Sequence, residues 1–173
     1  MFFCVFLYNL GHPATPALIE LRNWKKSISG VLLALMSCSM FISSPYLGSL
    51  ADHVGMKKIF KFMPLIYGSA QLIFGFSPYL SFIYLARIIS GFASGGTYAV
   101  AFGYVSQISS KKEKAKNIAK VSSAAIIGGA IGQKVGGLVA LIDPRYSFGL
   151  QFICGIIAVS YTHLRAHETR HDL

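Results

Sequence analysis

Acidic residues are scarce in this 173-residue chain, which has six aspartates and glutamates against sixteen lysines and arginines. Only 13% of the residues are charged, compared with about 25% in a soluble domain, so a water-soluble fold is not expected. The three cysteines have no spacing that suits a disulfide framework or a metal site. The chain also lacks a nucleophile–base pair, a phosphate-binding loop and a metal-ligand pattern, so we expect neither an enzyme nor a bound cofactor.

Long apolar segments take the place of the missing charge. A helix of about 20 residues crosses the hydrocarbon core of a bilayer, and the sequence has six apolar segments of this kind. They are residues 2–21, 28–50, 60–78, 82–106, 120–141 and an incomplete segment at 148–158. Because these segments are too long for strands and do not alternate between apolar and polar residues, they predict an all-α membrane protein.

The first segment is the least regular of the six. Asn9, His12, Pro13 and Pro16 interrupt its apolar residues, so a cleaved signal peptide is an alternative interpretation. A signal peptide has a basic region before its apolar core, which this chain lacks. We therefore expect a membrane span here.

The distribution of basic residues predicts the orientation. A net charge of +10 would favour nucleic-acid binding in a soluble protein, but here the charges are concentrated in short loops between spans. The loops at residues 51–61 and 107–120 hold eight lysines, and the loops on the opposite side hold four basic residues. Since cytoplasmic loops are enriched in lysine and arginine, the lysine-rich loops and the N-terminus are expected in the cytoplasm. We therefore expect the protein in the cell membrane. Its expected partners include the lipid bilayer and exclude nucleic acid.

A charged hairpin, residues 48–58, joins the second and third spans. Gly48 permits a close approach of two helices, and Gly55 can adopt the positive φ that a sharp reversal requires. Asp52 can cap a helix N-terminus or pair with a cation, and Lys57 and Lys58 follow it. The alternative is an ordinary cytoplasmic loop with anchoring lysines.

The fourth span contains an arginine and two glycines. Arg87 needs a partner or a water-filled cavity, unless its side chain extends to the membrane interface. Gly91 and Gly95, one turn apart, present a small face to a neighbouring helix.

The fifth span has a longer glycine face. Gly128, Gly132 and Gly136 recur every four residues, so another helix can pack against them at backbone distance. Lys134 lies off this face and either lines an aqueous path or extends toward the interface.

These three elements, in this order, resemble motifs of the N-terminal half of the major facilitator superfamily. Residues 48–58 are similar to its motif between helices two and three: glycine, three residues, aspartate, two residues, glycine, then basic residues. Residues 87–91 resemble the helix-four motif, and residues 128–137 resemble the helix-five motif of the antiporter branches. The chain departs from these motifs at four positions. They are His53 and Met56 in place of basic residues, Ser90 in place of glutamine, and Gln133 in place of the helix-five proline.

The resemblance implies the six-helix N-terminal half of a twelve-helix transporter, truncated within the sixth span and working by alternating access. It implies that Asp52 and its hairpin latch this half to the C-terminal half of the same protein. It makes Arg87, beside Gly91, a candidate for proton coupling or substrate contact. It implies that the packing face of helix five consists of Gly132, Gly136 and Gly137.

Three functions are consistent with this sequence. The first is proton-coupled efflux of drugs or small metabolites, with protons and a small molecule as the partners. The second is an uptake symporter or facilitator for a sugar or organic metabolite, and the third is a membrane structural fragment that does not transport. The one carboxylate within the predicted spans, Glu20, lies at the end of the first span, so their interior contains none for proton exchange. His12 is the titratable residue suited to neutral pH, although a hydrogen-bonded helix residue is the alternative.

The last residues, 159–173, have a different character. Val159-Ser-Tyr-Thr-His-Leu-Arg-Ala-His-Glu-Thr169 resembles a translated sequencing adapter. We therefore expect residues 1–158 to form the transporter half and residues 159–173 to be a non-native tail. The histidines of this tail are then not a metal site.

Overall fold

The computed structural model describes the backbone of residues 1–171, with the side chains of residues 1–160 apart from that of Lys57. The regular secondary structure of this part of the chain is entirely α-helical. The helices are α1 Phe2–Asn9, α2 Ala14–Leu21, α3 Ile28–Val54, α4 Met56–Phe76, α5 Leu80–Ile108, α6 Lys114–Ala140 and α7 Pro144–His171. Among the described residues, five segments are long and apolar enough to cross a membrane, with α1 and α2 together forming the first of them. The prediction of an all-α membrane protein is confirmed.

The first span is broken between α1 and α2. The ring of Pro13 fixes φ at −69° immediately before α2 begins, and a proline suits this position because it has no N–H to donate. Gly11 lies against α7, where an added β-carbon would come within 2.8 Å of a Phe148 ring carbon. The break therefore depends on a residue without a side chain, and it places His12 between two short helices.

The helices are longer than the predicted spans at the lysine-rich end. α3 continues to Val54 and α4 begins at Met56, so Gly55 alone connects them. The 27 residues of α3 extend over about 40 Å, which exceeds the hydrocarbon thickness of about 30 Å. The predicted loops at 51–61 and 107–120 are therefore mostly helical, and the connection between α5 and α6 is only residues 109–113.

Glycines set the distance between the paired helices. α5 packs on α3, where a β-carbon on Gly95 would lie 2.5 Å from the Met40 carbonyl oxygen, and Gly91 is equally close to the Met36 carbonyl. α4 packs on α7 in the same way, since a β-carbon on Gly155 would lie 2.8 Å from the Pro64 carbonyl oxygen. Such contacts between backbones bring membrane helices together where apolar side chains have no preference for each other over lipid.

The outer surface of the bundle is strongly apolar. Phe41 is 83% exposed, Ile126 is 72% exposed and Leu141 is 82% exposed. A soluble monomer rarely exposes many large apolar side chains together. These side chains suit a lipid environment, so the polar chemistry of the molecule lies inside the bundle and at its two ends.

Candidate functional site

Arg87 is held inside the helix bundle. It lies two turns into α5, and only 4% of its surface is exposed. Its Nη2 donates a hydrogen bond to Thr15 Oγ1 at 2.6 Å, and its Nη1 contacts Met36 Sδ at 3.6 Å. Its guanidinium carbon lies 3.9 Å from the centroid of the Phe74 ring, within cation–π distance. Residues of α2, α3 and α4 thus enclose the guanidinium. The side chain of Arg87 therefore does not extend to the membrane interface.

A cavity of about 170 Å³ adjoins this guanidinium and is lined by His12, Thr15 and Met36 among others. Thr15 donates its hydroxyl hydrogen to the Gly11 carbonyl at 2.9 Å, which leaves its oxygen lone pairs free to accept from Arg87. The break in the first span therefore brings His12 and Arg87 of the predicted site together. The ring of His12 has no hydrogen-bond partner among the described residues.

A polar network around the C-terminal end of α1 was not predicted from the sequence. The hydroxyls of Tyr8 and Thr97 lie 2.6 Å apart, and the Tyr67 hydroxyl donates to the Tyr8 carbonyl at 2.9 Å. Gln151 on α7 donates to the Leu7 carbonyl at 2.8 Å. The one signal for this network in the sequence is the isolated amide of Gln151 within an apolar segment. Such an amide predicts a buried polar group but does not predict its hydrogen-bond partner.

The charged hairpin lies at the end of the bundle where α3 and α4 meet. Gly55 has a φ of +94°, a conformation that residues with a side chain rarely adopt. Asp52 is in the last turn of α3, is exposed, and accepts a 3.4 Å hydrogen bond from the Gln107 side chain of α5. Lys58 is exposed, and the side chain of Lys57 is outside the described residues. Within the part of the chain that the structure describes, Asp52 therefore caps no helix.

The hairpin and the Arg87 cavity lie at different levels of the bundle. Arg87 and Gln107 are both on α5, and the rise of 1.5 Å per residue separates them by about 30 Å. Gly48, on α3, would tolerate a side chain, since an added β-carbon would lie 3.9 Å from the Ala99 β-carbon. A close approach of helices at Gly48 is thus not required by the packing.

The glycine face of α6 packs against the backbone of α1. Each of three glycines faces a carbonyl of α1, or of the residue that follows it, so closely that an added β-carbon would overlap it. The pairs are Gly128 with Phe2, Gly132 with Phe6, and Gly136 with Leu10. The contacts thus recur every four residues along both helices, as expected for two helices that touch along their backbones.

Two residues beside this face are less closely packed. A β-carbon on Gly137 would lie 3.8 Å from Pro13, an ordinary contact, so the packing does not require a glycine there and its place in the packing face stays a prediction. Lys134 is exposed and does not line the Arg87 cavity. At the position of the motif's proline, Gln133 donates to the Asn9 side chain at 3.0 Å, and α6 continues through it as a helix.

Helix α7 passes through residue 159 without a break. The side chains of residues 161–173, which include most of the expected non-native tail, are outside the described residues. The interpretation of residues 159–173 as a tail stays a prediction.

Comparisons with known proteins agree with the fold and the motifs. The Major Facilitator Superfamily family model matches residues 1–172. The chain is 31% identical over 146 residues to "Multidrug resistance protein 2" of Bacillus subtilis (strain 168), covering 84% of this chain and 36% of that protein. It is 28% identical over 174 aligned residues to "Quinolone resistance protein NorA" of Staphylococcus aureus (strain Mu50), covering 98% of this chain and 45% of that protein.

The chain therefore spans less than half the length of these relatives. The family match covers nearly all of its residues and includes the hairpin, the Arg87 span and the glycine face of α6. The protein is a multi-pass membrane protein. It belongs to the major facilitator superfamily.

Proposed function

We propose that this chain is the N-terminal half of a secondary transporter that exports drugs or other small amphipathic molecules in exchange for protons. The observation that carries the proposal is the enclosed Arg87 beside a cavity in a bundle of membrane-spanning helices. A buried ionisable group within a span is unfavourable and usually marks a substrate or ion pathway. The names of the two relatives, a multidrug resistance protein and a quinolone resistance protein, support efflux as its direction.

The remaining half of the protein completes this mechanism. Transporters of this kind bind substrate between two repeats and move one repeat against the other. In that arrangement the hairpin end, with the N-terminus and the connections around residues 55 and 109–113, faces the cytoplasm. Asp52 then forms a latch with the C-terminal half. Asp52 lies near the C-terminal end of α3, where a carboxylate is disfavoured by the helix dipole, so a cation or helix N-terminus from another segment would stabilise it.

His12 is the proposed proton-binding residue of this half. The membrane-spanning residues of the described helices hold no acidic side chain in the interior of the bundle. His12 lines the Arg87 cavity, and histidine changes its charge near neutral pH. Further coupling groups belong to the C-terminal half.

Efflux is tested by expressing the full-length protein that contains this chain in bacteria without their own drug pumps. Cells should accumulate less ethidium than control cells, and a protonophore should abolish the difference. Equal accumulation for ethidium and a panel of other dyes would contradict the proposal. Residues 1–158 expressed alone provide the control. A single half cannot enclose a substrate between two repeats, so it should not lower accumulation.

An uptake symporter or facilitator is the alternative, and one observation favours it. The helix-five motif has Gln133 instead of proline, and its amide joins α6 to Asn9 of the first span. Transport by the full-length protein in proteoliposomes, with and without an imposed pH gradient, separates the two. Export of the substrate against its own concentration gradient, driven by the pH gradient, indicates the antiporter. Equilibration of the substrate at the same rate with and without the pH gradient indicates the facilitator.

A further inference from the structure

We propose that the Arg87 cavity binds a carboxylate group of the transported molecule. This inference rests on the proposed function and adds a chemical class of substrate to it. Its starting point is an imbalance of charge. Among the described side chains the one ion pair joins Asp143 to Arg145 at 2.6 Å on the surface, so Arg87 has no acidic partner in this part of the protein.

The guanidinium also has unused donors. It carries five N–H groups, while its hydrogen bonds here go to one hydroxyl, on Thr15, and one thioether sulfur, on Met36. The sulfur is a weak acceptor. The remaining N–H groups have no acceptor among the described residues, and a planar fork of donors matches the two oxygens of a carboxylate.

The surroundings of Arg87 restrict how a ligand can approach. The Phe74 ring covers one face of the guanidinium at 3.9 Å, so an anion approaches in the plane of the N–H groups. The cavity of about 170 Å³ is about six times the volume of a water molecule in the liquid. It therefore accepts a carboxylate with a few carbons, and the rest of an amphipathic molecule remains outside it.

The walls of the cavity favour a carboxylate over a phosphate. Pro16, Leu33 and Met36 contribute apolar surface, and His12 is the other residue there that can carry positive charge. A dianionic phosphate in such surroundings carries one more negative charge than Arg87 balances, and burying that charge unpaired is costly. A single negative charge on an aromatic or aliphatic body suits both the cation and the apolar walls.

A carboxylate can also come from an acidic side chain of the C-terminal half. The full-length protein distinguishes these sources, because a protein side chain would already occupy the cavity. Purified full-length protein in lipid nanodiscs is titrated with 1-naphthoate and with the neutral amide of similar shape, 1-naphthamide. We expect naphthoate to bind at least about tenfold more tightly, as a charged hydrogen bond to the guanidinium allows.

The variants assign that preference to one residue. Arg87→Gln should remove the preference for naphthoate, while Arg87→Lys should retain part of it because the charge remains. Binding of naphthamide reports that each variant is folded. Arg22→Gln is the matched control, since it removes another guanidinium, which donates to the Gly75 carbonyl at 2.7 Å near the end of the bundle, and it should keep the full preference.

Two results would overturn the carboxylate site: equal binding of naphthoate and naphthamide to the unmodified protein, or an undiminished preference in Arg87→Gln. Equal binding would assign the partner of Arg87 to a protein carboxylate instead. The outcome is separable from that of the proposed function. If the protein exports ethidium but does not prefer naphthoate, only the proposed carboxylate site is wrong. If it prefers naphthoate but does not export ethidium, only the proposed efflux function is wrong.

Discussion

The side chain of Gln151 on α7 donates a hydrogen bond to the backbone carbonyl of Leu7 on α1, over a distance of 2.8 Å. Leu7 lies near the end of α1, where the break leaves carbonyls without their usual helical donors. Tyr67 from α4 donates to the next carbonyl, that of Tyr8, at 2.9 Å. Two side chains from neighbouring spans thus stabilise the break that positions His12 beside Arg87.

Replacing Gln151 by leucine should destabilise the protein. The change leaves the Leu7 carbonyl buried without this donor, and an unsatisfied buried acceptor costs about 1–3 kcal/mol. Thermal unfolding of the purified protein in detergent measures the loss. Gln133→Leu is the control, because its hydrogen bond to Asn9 is exposed and should contribute much less. A lower melting temperature for Gln133→Leu than for Gln151→Leu would contradict this account of the break.

Two adjacent glycines of α6 should respond oppositely to the same substitution. Gly136→Ala places a methyl group into the Leu10 carbonyl, so α1 and α6 must separate, at a cost of about 1–3 kcal/mol typical of overpacking. Gly137→Ala meets Pro13 at an ordinary distance of 3.8 Å, and alanine favours a helix over glycine. We expect lower yield and melting temperature for the first variant and no loss for the second. Similar melting temperatures for both would contradict the backbone contact.

This pair of glycines also shows what the sequence could predict. Spacing of four residues predicted the face of Gly128, Gly132 and Gly136 because helical periodicity is a local property. It did not predict that α1 is the partner, which depends on how six spans assemble. Gly137 entered the prediction through the family motif, and in the structure it has ordinary contacts with Pro13 rather than an overlap with a backbone carbonyl.

The Arg87 site was predictable only in part. The energetic penalty of an arginine in a span predicted that it needs a partner or a cavity. The partners themselves, Thr15, Met36 and Phe74, come from three other helices, and none of them is unusual in an apolar sequence. His12 was recognised because it is titratable, whereas Tyr67 and Gln151 act through backbone carbonyls that no side-chain pattern reveals.

Neutralising Asp52 should impair transport without impairing insertion. Asp52→Asn keeps the shape of an exposed side chain whose contact within this chain is a long hydrogen bond from Gln107, so the stability of this half should not change. If the carboxylate latches the two halves, its loss should lower the transport rate of the full-length protein by about tenfold, the effect of one charged hydrogen bond. Glu113→Gln, an exposed acid at the start of α6, is the control. Normal transport by Asp52→Asn would remove the latch role.

A second buried glutamine should behave differently from Gln151. The side chain of Gln71 on α4 is 1% exposed, and neither its amide nitrogen nor its amide oxygen has a hydrogen-bond partner among the described residues. Leucine has a similar size and needs no partner, so Gln71→Leu should raise the melting temperature, by an amount that corresponds to about 1–3 kcal/mol. The same substitution at Gln151 should lower it, because the amide nitrogen of Gln151 donates to the Leu7 carbonyl, although its amide oxygen has no partner among the described residues. A decrease in Gln71→Leu would show that the amide is hydrogen-bonded in the membrane, in the way that buried water satisfies such groups.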